Sequence, residues 1–110
     1  MLWKIEFYSQ NVADGINEWP DGLLAKFLLI AAVIEKFGPA ELGMPHVRPL
    51  GHGLFEIRVK AKEGIGRAIL CTVKGKVVIV LNEFIKKTQK TPPREIALAR
   101  KRMAEVKSNE

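Results

Sequence analysis

The segment that decides the fold is LFEIRVKAKEGIGRAILCTVKGKVVIVLNEF, residues 54–84, which has the pattern of three consecutive strands. Its first part alternates apolar and charged residues from Phe55 to Lys60, the period of two that puts one strand face on a core and the other in water. Short turns near Gly64 and at Lys74-Gly75 predict an antiparallel meander. The continuous apolar run of the third strand predicts an interior position with both faces covered.

The N-terminal part supplies one more strand and two helices. LWKIEFY, residues 2–8, alternates like a strand, and the helical pattern behind it is broken at EWPDG, residues 18–22, because Pro20 cannot continue a helix. The second helix is expected to end at Gly38-Pro39. Residues 38–53 contain four glycines and three prolines and are predicted to be a loop.

A final helix is predicted after the meander. Thr91 is expected to cap its N-terminus, with Pro92 at the first helical position. The apolar stripe of this helix consists of Ile96, Ala99, Met103 and Val106. These elements predict a single α+β domain spanning residues 1–110, with the order β-α-α-β-β-β-α and two N-terminal helices packed on a small antiparallel sheet.

Length and composition are typical of a single globular domain in a reducing compartment. The chain has 110 residues, of which 47% are hydrophobic and 27% charged, and its one cysteine, Cys71, cannot form an internal disulfide. The longest apolar run, residues 23–34, is well short of the roughly 20 residues that a membrane-spanning helix needs. A cytoplasmic location without membrane contact is therefore expected.

Several kinds of chemistry lack their defining residues. The motifs GxxxxGK[ST], GxGxxG and HExxH are absent, which argues against nucleotide-binding loops and zinc proteases. For His46 and His52, loop packing is favoured over RNA contact, catalysis or metal binding, since no acidic or cysteine cluster lies near them in sequence. Cys71 lies in an apolar strand and is expected to be a buried small hydrophobic residue. No metal or cofactor is predicted.

Positive charge is concentrated in the C-terminal half. Residues 1–57 carry four Lys and Arg against seven Asp and Glu, whereas residues 58–110 carry fourteen against five, and the net charge is +6. Such an asymmetry is typical of a face that binds a polyanion, and nucleic acid is the commonest polyanion in a cytoplasm. Charge alone equally supports a solvated surface that keeps a small protein soluble.

The meander is expected to bring some of these cations together on a polar, solvent-exposed sheet surface. The three that would converge are Arg58, Arg67 and Lys87. Clustered like charges repel one another, and a bound phosphate would relieve that repulsion. The alternative interpretation is that these residues are independent, solvated strand ends.

Three stretches then carry a family resemblance: PLGHGLFEIRVK at residues 49–60, Arg67 thirteen residues after Leu54, and FIKKTQKTPPREIALARKR at residues 84–102. In these stretches the chain resembles the RelE/ParE toxin superfamily, specifically its HigB-like, phage-derived branch. The resemblance covers essentially the whole chain. It implies a RelE-like fold, a small curved antiparallel sheet with two N-terminal helices and a C-terminal helix, similar to the order predicted from periodicity.

The resemblance also implies a function. Members of this branch are typically toxins of type II toxin-antitoxin systems that cut messenger RNA in the ribosomal A site, and a cognate antitoxin, often a helix-turn-helix protein, silences them. The implied activity is thus that of a ribosome-dependent endoribonuclease, an mRNA interferase that inhibits translation without metal or cofactor. Matching the motif position by position implies catalytic roles for Arg58, Arg67 and Lys87. The remaining cations of the motif, implied to bind RNA, are Lys60, Lys86, Lys90 and Arg94.

Cleavage through attack of a ribose 2′-OH on the adjacent phosphate needs a proton acceptor, a donor to the leaving 5′-oxygen and stabilisation of the phosphorane. Arginine suits phosphate binding because its guanidinium donates two parallel hydrogen bonds. The antitoxin is expected to pair an acidic segment with the cations at positions 58, 67, 86 and 87.

The chain departs from the family pattern at two positions. Gly66 stands where relatives often have an aromatic residue, and Glu56 stands where the best-known ribonucleases have a basic one. The C-terminal segment contains no tyrosine or histidine, and Tyr8 is the one tyrosine of the sequence. Two alternatives therefore stay open: a ParE-like inhibitor of DNA gyrase, and a non-catalytic protein with the toxin fold.

Overall fold

The computed structural model describes residues 2–43, 46–87 and 89–110, apart from the side chain of Leu42. Its elements are β1 Lys4–Phe7, α1 Gln10–Asn17, α2 Asp21–Phe37, α3 Pro39–Leu42, β2 Val47–Gly51, β3 Leu54–Ala61, β4 Gly64–Val73, β5 Val77–Lys86 and α4 Pro93–Ser108. The predicted α+β class and the predicted succession of elements are confirmed, and two further elements, α3 and β2, are added.

The described residues form one sheet of five strands in the order β1-β5-β4-β3-β2. Strands β3, β4 and β5 are the predicted antiparallel meander, and β5 lies inside the sheet as its apolar run predicted. Strand β1 pairs with β5 in parallel, so the sheet is mixed and larger than expected. A short turn forces neighbouring strands to be antiparallel, whereas the direction of a strand far away in sequence is decided by packing.

Both additional elements occupy the segment predicted to be a loop. Helix α3 begins at Pro39, because proline is well accommodated at a first helical position. Strand β2 pairs with β3 and tolerates Pro49, because β2 is the last strand of the sheet and one of its edges needs no ladder hydrogen bonds. Met44 and Pro45 of the predicted loop lie outside the described residues.

Each face of the sheet carries its own apolar core. Helices α1 and α2 pack on one face, as predicted, through residues that include Ile16, Trp19, Phe27, Ile34, Val59 and Leu70. Helix α4 covers part of the other face, over Leu54, Ile69, Cys71, Leu81 and Ala99. None of the helices in the described part of the chain is long and apolar enough to cross a membrane.

Helix α4 begins one residue later than predicted. Pro92 is its N-cap and Pro93 its first residue, while the Thr91 hydroxyl donates a hydrogen bond to the Glu56 carboxylate instead of capping the helix. The buried carboxylate accepts the hydrogen bond of the Thr91 hydroxyl, and α4 has no side-chain hydrogen bond at its N-cap. The predicted stripe of Ile96, Ala99, Met103 and Val106 packs on the second core.

The indole of Trp19 packs directly over Gly66 in β4. Its Nε1 donates a hydrogen bond to Glu83 Oε1 at 2.6 Å, and its ring meets Phe27 edge-on with centroids 5.7 Å apart. A Cβ at position 66 would lie 2.7 Å from the indole, closer than such atoms approach in real structures. Gly66 therefore faces the helix side, where an aromatic residue would collide with Trp19.

We predict that Gly66→Ala lowers the free energy of unfolding by about 1–3 kcal/mol, because the added methyl group overpacks a buried, hydrogen-bonded ring. Gly22→Ala is the matched control, since its Cβ would meet no atom closer than 3.7 Å and it lies in a helix. That control is expected to be more stable than wild type by up to about 1 kcal/mol. Urea denaturation measures both, and unchanged stability of Gly66→Ala would contradict the described packing.

Candidate nucleic-acid interface

Cations lie in register across three strands on the sheet face that α4 only partly covers. Arg58 is opposite Arg67 in the β3–β4 ladder. Two residues along β4 from Arg67, towards the β3–β4 turn, Ile65 pairs with Lys60 of β3 on one side and with Lys86 of β5 on the other. Since alternate residues of a strand share a face, these four cations lie on the same face, which we call the cationic face: Arg58, Lys60, Arg67 and Lys86.

The other predicted site residues lie farther from the arginine pair. Lys87 follows the end of β5 and approaches Gly64, which is three residues, or about 10 Å, along β4 from Arg67. Lys90 and Arg94 are exposed, one in the segment before α4 and one in its first turn. The structure thus brings Arg58 and Arg67 together but places Lys87 at the border of the cationic face.

Arg67 is fully buried, with 0% of its surface exposed, and this contradicts the expectation of a solvent-exposed charge. β4 is the central strand of the sheet, so residues of β3 and β5 flank Arg67 on both sides. Its guanidinium lies 5.7 Å from the ring centroid of Phe84 on β5. Burial, and then the charge of Arg58, lower the pKa of Arg67 from its ordinary value, while Glu56 opposes this shift.

A buried carboxylate, that of Glu56, lies among these arginines. Its side chain is 0% exposed, and its Oε1 lies 3.1 Å from Nη2 of Arg58 and 3.4 Å from Nη2 of Arg48. Its Oε2 accepts the hydrogen bond from Thr91, whose hydroxyl oxygen in turn accepts from Nη2 of Arg58 at 3.3 Å. Glu56 is therefore an internal counter-ion, which explains how an acidic residue is accommodated where relatives have a basic one.

Two members of this network, Arg48 and Thr91, were not predicted to belong to a site. Arg48 lies on β2 directly opposite Glu56, within the segment predicted to be a loop. Had the alternation of Val47, Arg48 and Pro49 been treated as a strand beside β3, it would have indicated this cross-strand pair. Thr91 gave no comparable signal, because its contact with Glu56 joins residues 35 positions apart.

Two residues with proton-transfer chemistry are engaged elsewhere. Burial raises the pKa of the Cys71 thiol, and the residue packs in the core under α4, as predicted for a small hydrophobic side chain. Tyr8 donates a hydrogen bond to Glu105 Oε2 at 2.6 Å, and this bond is the main cause that raises the pKa of Tyr8. The guanidinium of Arg102 lies 4.6 Å from the centroid of the Tyr8 ring, so the tyrosine fastens α4 to the sheet.

A groove of about 570 Å³ runs along the edge of β3, between this strand and α2. Its lining includes Arg58, Lys60 and His46, together with apolar residues such as Leu29 and Val59. The backbone carbonyl of His46 accepts a hydrogen bond from the amide of Arg58 at 2.9 Å, which holds His46 beside the arginine. His52 lies in an exposed turn with φ 55°.

The arrangement suits an anion better than a metal ion. Within residues 2–43, 46–87 and 89–110, no group of three or more His, Cys, Asp or Glu side chains is placed to hold a metal. The cationic face offers guanidinium and ammonium donors instead, which bind phosphate oxygens through charge-assisted hydrogen bonds.

Comparison with known proteins agrees with this description. The sequence matches a family model described as Phage derived protein Gp49-like (DUF891) over residues 14–104. No curated protein sequence matches the chain.

Two solved structures share the fold at low sequence identity. A mutant of the E. coli toxin RelE in the free state is 12% identical, with a TM-score of 0.67 over 93% of this chain and 98% of that chain. The archaeal RelE–RelB complex from Pyrococcus horikoshii OT3 is 20% identical, with a TM-score of 0.58 over 82% of this chain and 100% of that chain. The fold is RelE-like, and the protein belongs to the Gp49-like family of phage-derived proteins.

Proposed function

We propose that this protein is the toxin of a type II toxin-antitoxin system and acts as a ribosome-dependent mRNA endoribonuclease. The observation that carries the proposal is the cross-strand pair of Arg58 and Arg67, set on a partly open sheet face beside further lysines. The RelE-like fold and the phage-derived family support it. A metal-independent cleavage fits a face whose chemistry is that of phosphate binding.

In this proposal Arg58 binds the scissile phosphate and stabilises the charge of the phosphorane. Arg67 lies opposite Arg58 on the neighbouring strand and acts through its charge, which is weakly screened because the side chain is buried. The proposed path of the RNA backbone follows the lysines and the arginine around this pair: Lys60, Lys86, Lys87, Lys90 and Arg94.

The proton acceptor is the weakest part of the site. Glu56 is poorly suited to the role, because both of its carboxylate oxygens are engaged within the protein. His46 lines the groove beside Arg58, and the free ring nitrogen of a neutral imidazole can accept a proton. A site rich in phosphate donors and poor in acid-base pairs favours catalysis through positioning, which an ordered ribosomal messenger would supply.

The proposed partners follow from the same charges. A cognate antitoxin, expected to be a helix-turn-helix protein, would pair an acidic segment with Arg58, Lys86 and Lys87 and so compete with phosphate. Arg67 is buried and would not be contacted directly without a rearrangement, which corrects the expectation that all four cations are covered. A cytoplasmic location is proposed because the ribosome and messenger RNA are there.

Expressing the chain alone in bacteria is expected to arrest growth, with translation falling before DNA synthesis and new messenger RNA ends appearing. Pulse labelling and mapping of RNA ends measure these effects. A gyrase inhibitor would instead produce DNA cleavage complexes with unchanged RNA ends, and a non-catalytic protein would produce neither. Unimpaired growth and translation at high soluble expression would exclude the active-toxin proposal.

Substitutions at Arg67 should separate stability from activity. Arg67→Ala is expected to lower the free energy of unfolding by about 2–4 kcal/mol, because it empties a buried volume. Arg67→Met fills most of that volume without a buried charge, so its stability should stay within about 1 kcal/mol of wild type. If the charge of Arg67 supports cleavage, Arg67→Met should still lose toxicity. Growth arrest on expression measures toxicity, and thermal unfolding of the purified variants measures stability.

Two exposed lysines serve as references for this comparison. Lys87→Ala should reduce toxicity and change stability by no more than about 0.5 kcal/mol, as is usual for exposed side chains. Lys36→Ala, at the end of α2, should change neither. Full toxicity of a folded Arg67→Met protein would remove Arg67 from the proposed site, and equal losses at Lys36 and Lys87 would indicate general charge rather than a site.

Purified protein is expected to cut ribosome-free RNA at least 100-fold more slowly than messenger RNA in programmed ribosomes. The reason is that holding the reacting groups in the correct geometry can lower the activation barrier by about 7 kcal/mol or more. Single-turnover cleavage of the same RNA sequence, with and without ribosomes, measures the ratio. Comparable rates on both substrates would contradict the dependence on the ribosome while leaving the endoribonuclease proposal intact.

A further inference from the structure

Two guanidinium groups on neighbouring strands are held by the same buried oxygen atom. Arg48 lies opposite Glu56 in the β2–β3 ladder, and Arg58 is two residues farther along β3 on the same strand face. Nη2 of each arginine contacts Glu56 Oε1, at 3.4 Å and 3.1 Å. Both guanidinium groups therefore lie next to the same carboxylate oxygen.

Both arginine side chains remain partly open to solvent. The side chain of Arg48 is 39% exposed and that of Arg58 is 17% exposed, whereas that of Glu56 is 0% exposed. A ligand can therefore reach the arginines without displacing the carboxylate. Because long side chains lose rotamer entropy on binding, arginines that are already held by a carboxylate lose less of it.

The local charge balance favours an anion as that ligand. In the described part of the chain, the guanidiniums of Arg48 and Arg58 contact the single carboxylate of Glu56. Glu56 compensates for one of these two positive charges. An incoming anion would supply the missing negative charge.

We propose that Arg48 is a second phosphate-binding residue of the site and that Glu56 is the positioning residue for the Arg48–Arg58 pair. This inference rests on the proposed RNA substrate and deepens it: the pair contacts the phosphodiester backbone of single-stranded RNA, with Arg58 at one phosphate and Arg48 at a neighbouring one. Glu56 takes no part in proton transfer. Its carboxylate keeps two mutually repelling cations at a separation that the backbone can bridge.

The first test is RNA binding by the full-length protein, measured by fluorescence anisotropy with a labelled single-stranded oligonucleotide at several salt concentrations. Arg48→Ala should bind about tenfold more weakly, which is the typical effect of losing one charge-assisted hydrogen-bonding group. The slope of log K against log salt should fall by about 0.7, the value for one phosphate contact on a single strand. Arg48→Lys should restore the slope but only part of the affinity, because an ammonium lacks the planar fork.

The second test uses Glu56→Gln, for which charge and positioning predict opposite results. Removing a negative charge beside the RNA should tighten binding if only the local charge matters. If Glu56 positions the two arginines, binding should weaken by threefold or more despite the added net positive charge. The double variant with Arg48→Ala should then show less than the sum of the two single effects, because both act through one interaction.

Lys36→Ala is the charge-matched control and should bind RNA within twofold of wild type, since it lies on the far end of α2. Circular dichroism and thermal unfolding verify the fold of every variant. If Glu56→Gln fails to fold, Arg48→Ala and Arg48→Lys still decide whether Arg48 binds phosphate. In both Arg48 variants, Arg58 and Thr91 continue to contact the Glu56 carboxylate.

Cleavage in programmed ribosomes separates this inference from the proposed function. Arg48→Ala should raise the toxin concentration for half-maximal cleavage while leaving the rate at saturation within about threefold of wild type. Wild-type affinity and slope for Arg48→Ala, or tighter binding by Glu56→Gln, would overturn the inference even if messenger RNA is cut. If the variants change RNA binding as described but ribosomal messenger RNA stays intact, the inference stands and the endoribonuclease proposal fails.

Discussion

The burial of one carboxylate among arginines is the constraint on which the candidate site depends. A fully buried Glu56 would be costly by several kcal/mol without partners, and Arg48, Arg58 and Thr91 supply them from three different segments of the chain. A buried ion pair adds little net stability compared with an apolar substitute, but removing one partner is expensive. Its main effect here is geometric, since it ties β2 and the start of the C-terminal segment to β3.

The position of α4 follows in part from this constraint. Glu56 anchors Thr91, and α4 begins two residues later. The helix therefore packs on the apolar end of the sheet face, and the arginines lie beside the helix rather than under it. Side chains then fasten the helix along its length. Asn82 donates to the Glu95 carbonyl at 3.1 Å, and Arg102 donates to the Leu81 carbonyl at 2.6 Å. The same sheet face thus holds an apolar core at one end and cations at the other.

The departures from the RelE/ParE pattern have different structural meanings. Gly66 faces the helix side of the sheet, opposite to the face of Arg67, and gives room to Trp19. The indole of Trp19 thus occupies the space that an aromatic side chain at position 66 would need. Glu56 faces the cations and changes their charge balance directly. Of the two, Glu56 therefore alters the chemistry of the candidate site, and Gly66 alters the core that supports it.

The sequence by itself determined the α+β class, the meander and the faces of its strands, because period-two alternation and short turns are local signals. The two N-terminal helices and the apolar stripe of α4 were predictable for the same reason, from spacings of three and four residues. The meander also predicted that Arg58, Arg67 and Lys87 converge on one sheet surface; the structure pairs the two arginines and places Lys87 at the border. Glycines and prolines misled the prediction for residues 38–53, since an edge strand tolerates what an interior strand does not.

Only the tertiary structure decided how the charges are used. The parallel pairing of β1 with β5, the complete burial of Arg67 and the contact between Thr91 and Glu56 all join segments distant in sequence, and no local pattern encodes such distances. Arg67 was expected on a solvent-exposed sheet surface, but it is fully buried on the central strand β4. Exposure depends on what the rest of the chain places over a residue, and that is a property of the whole fold.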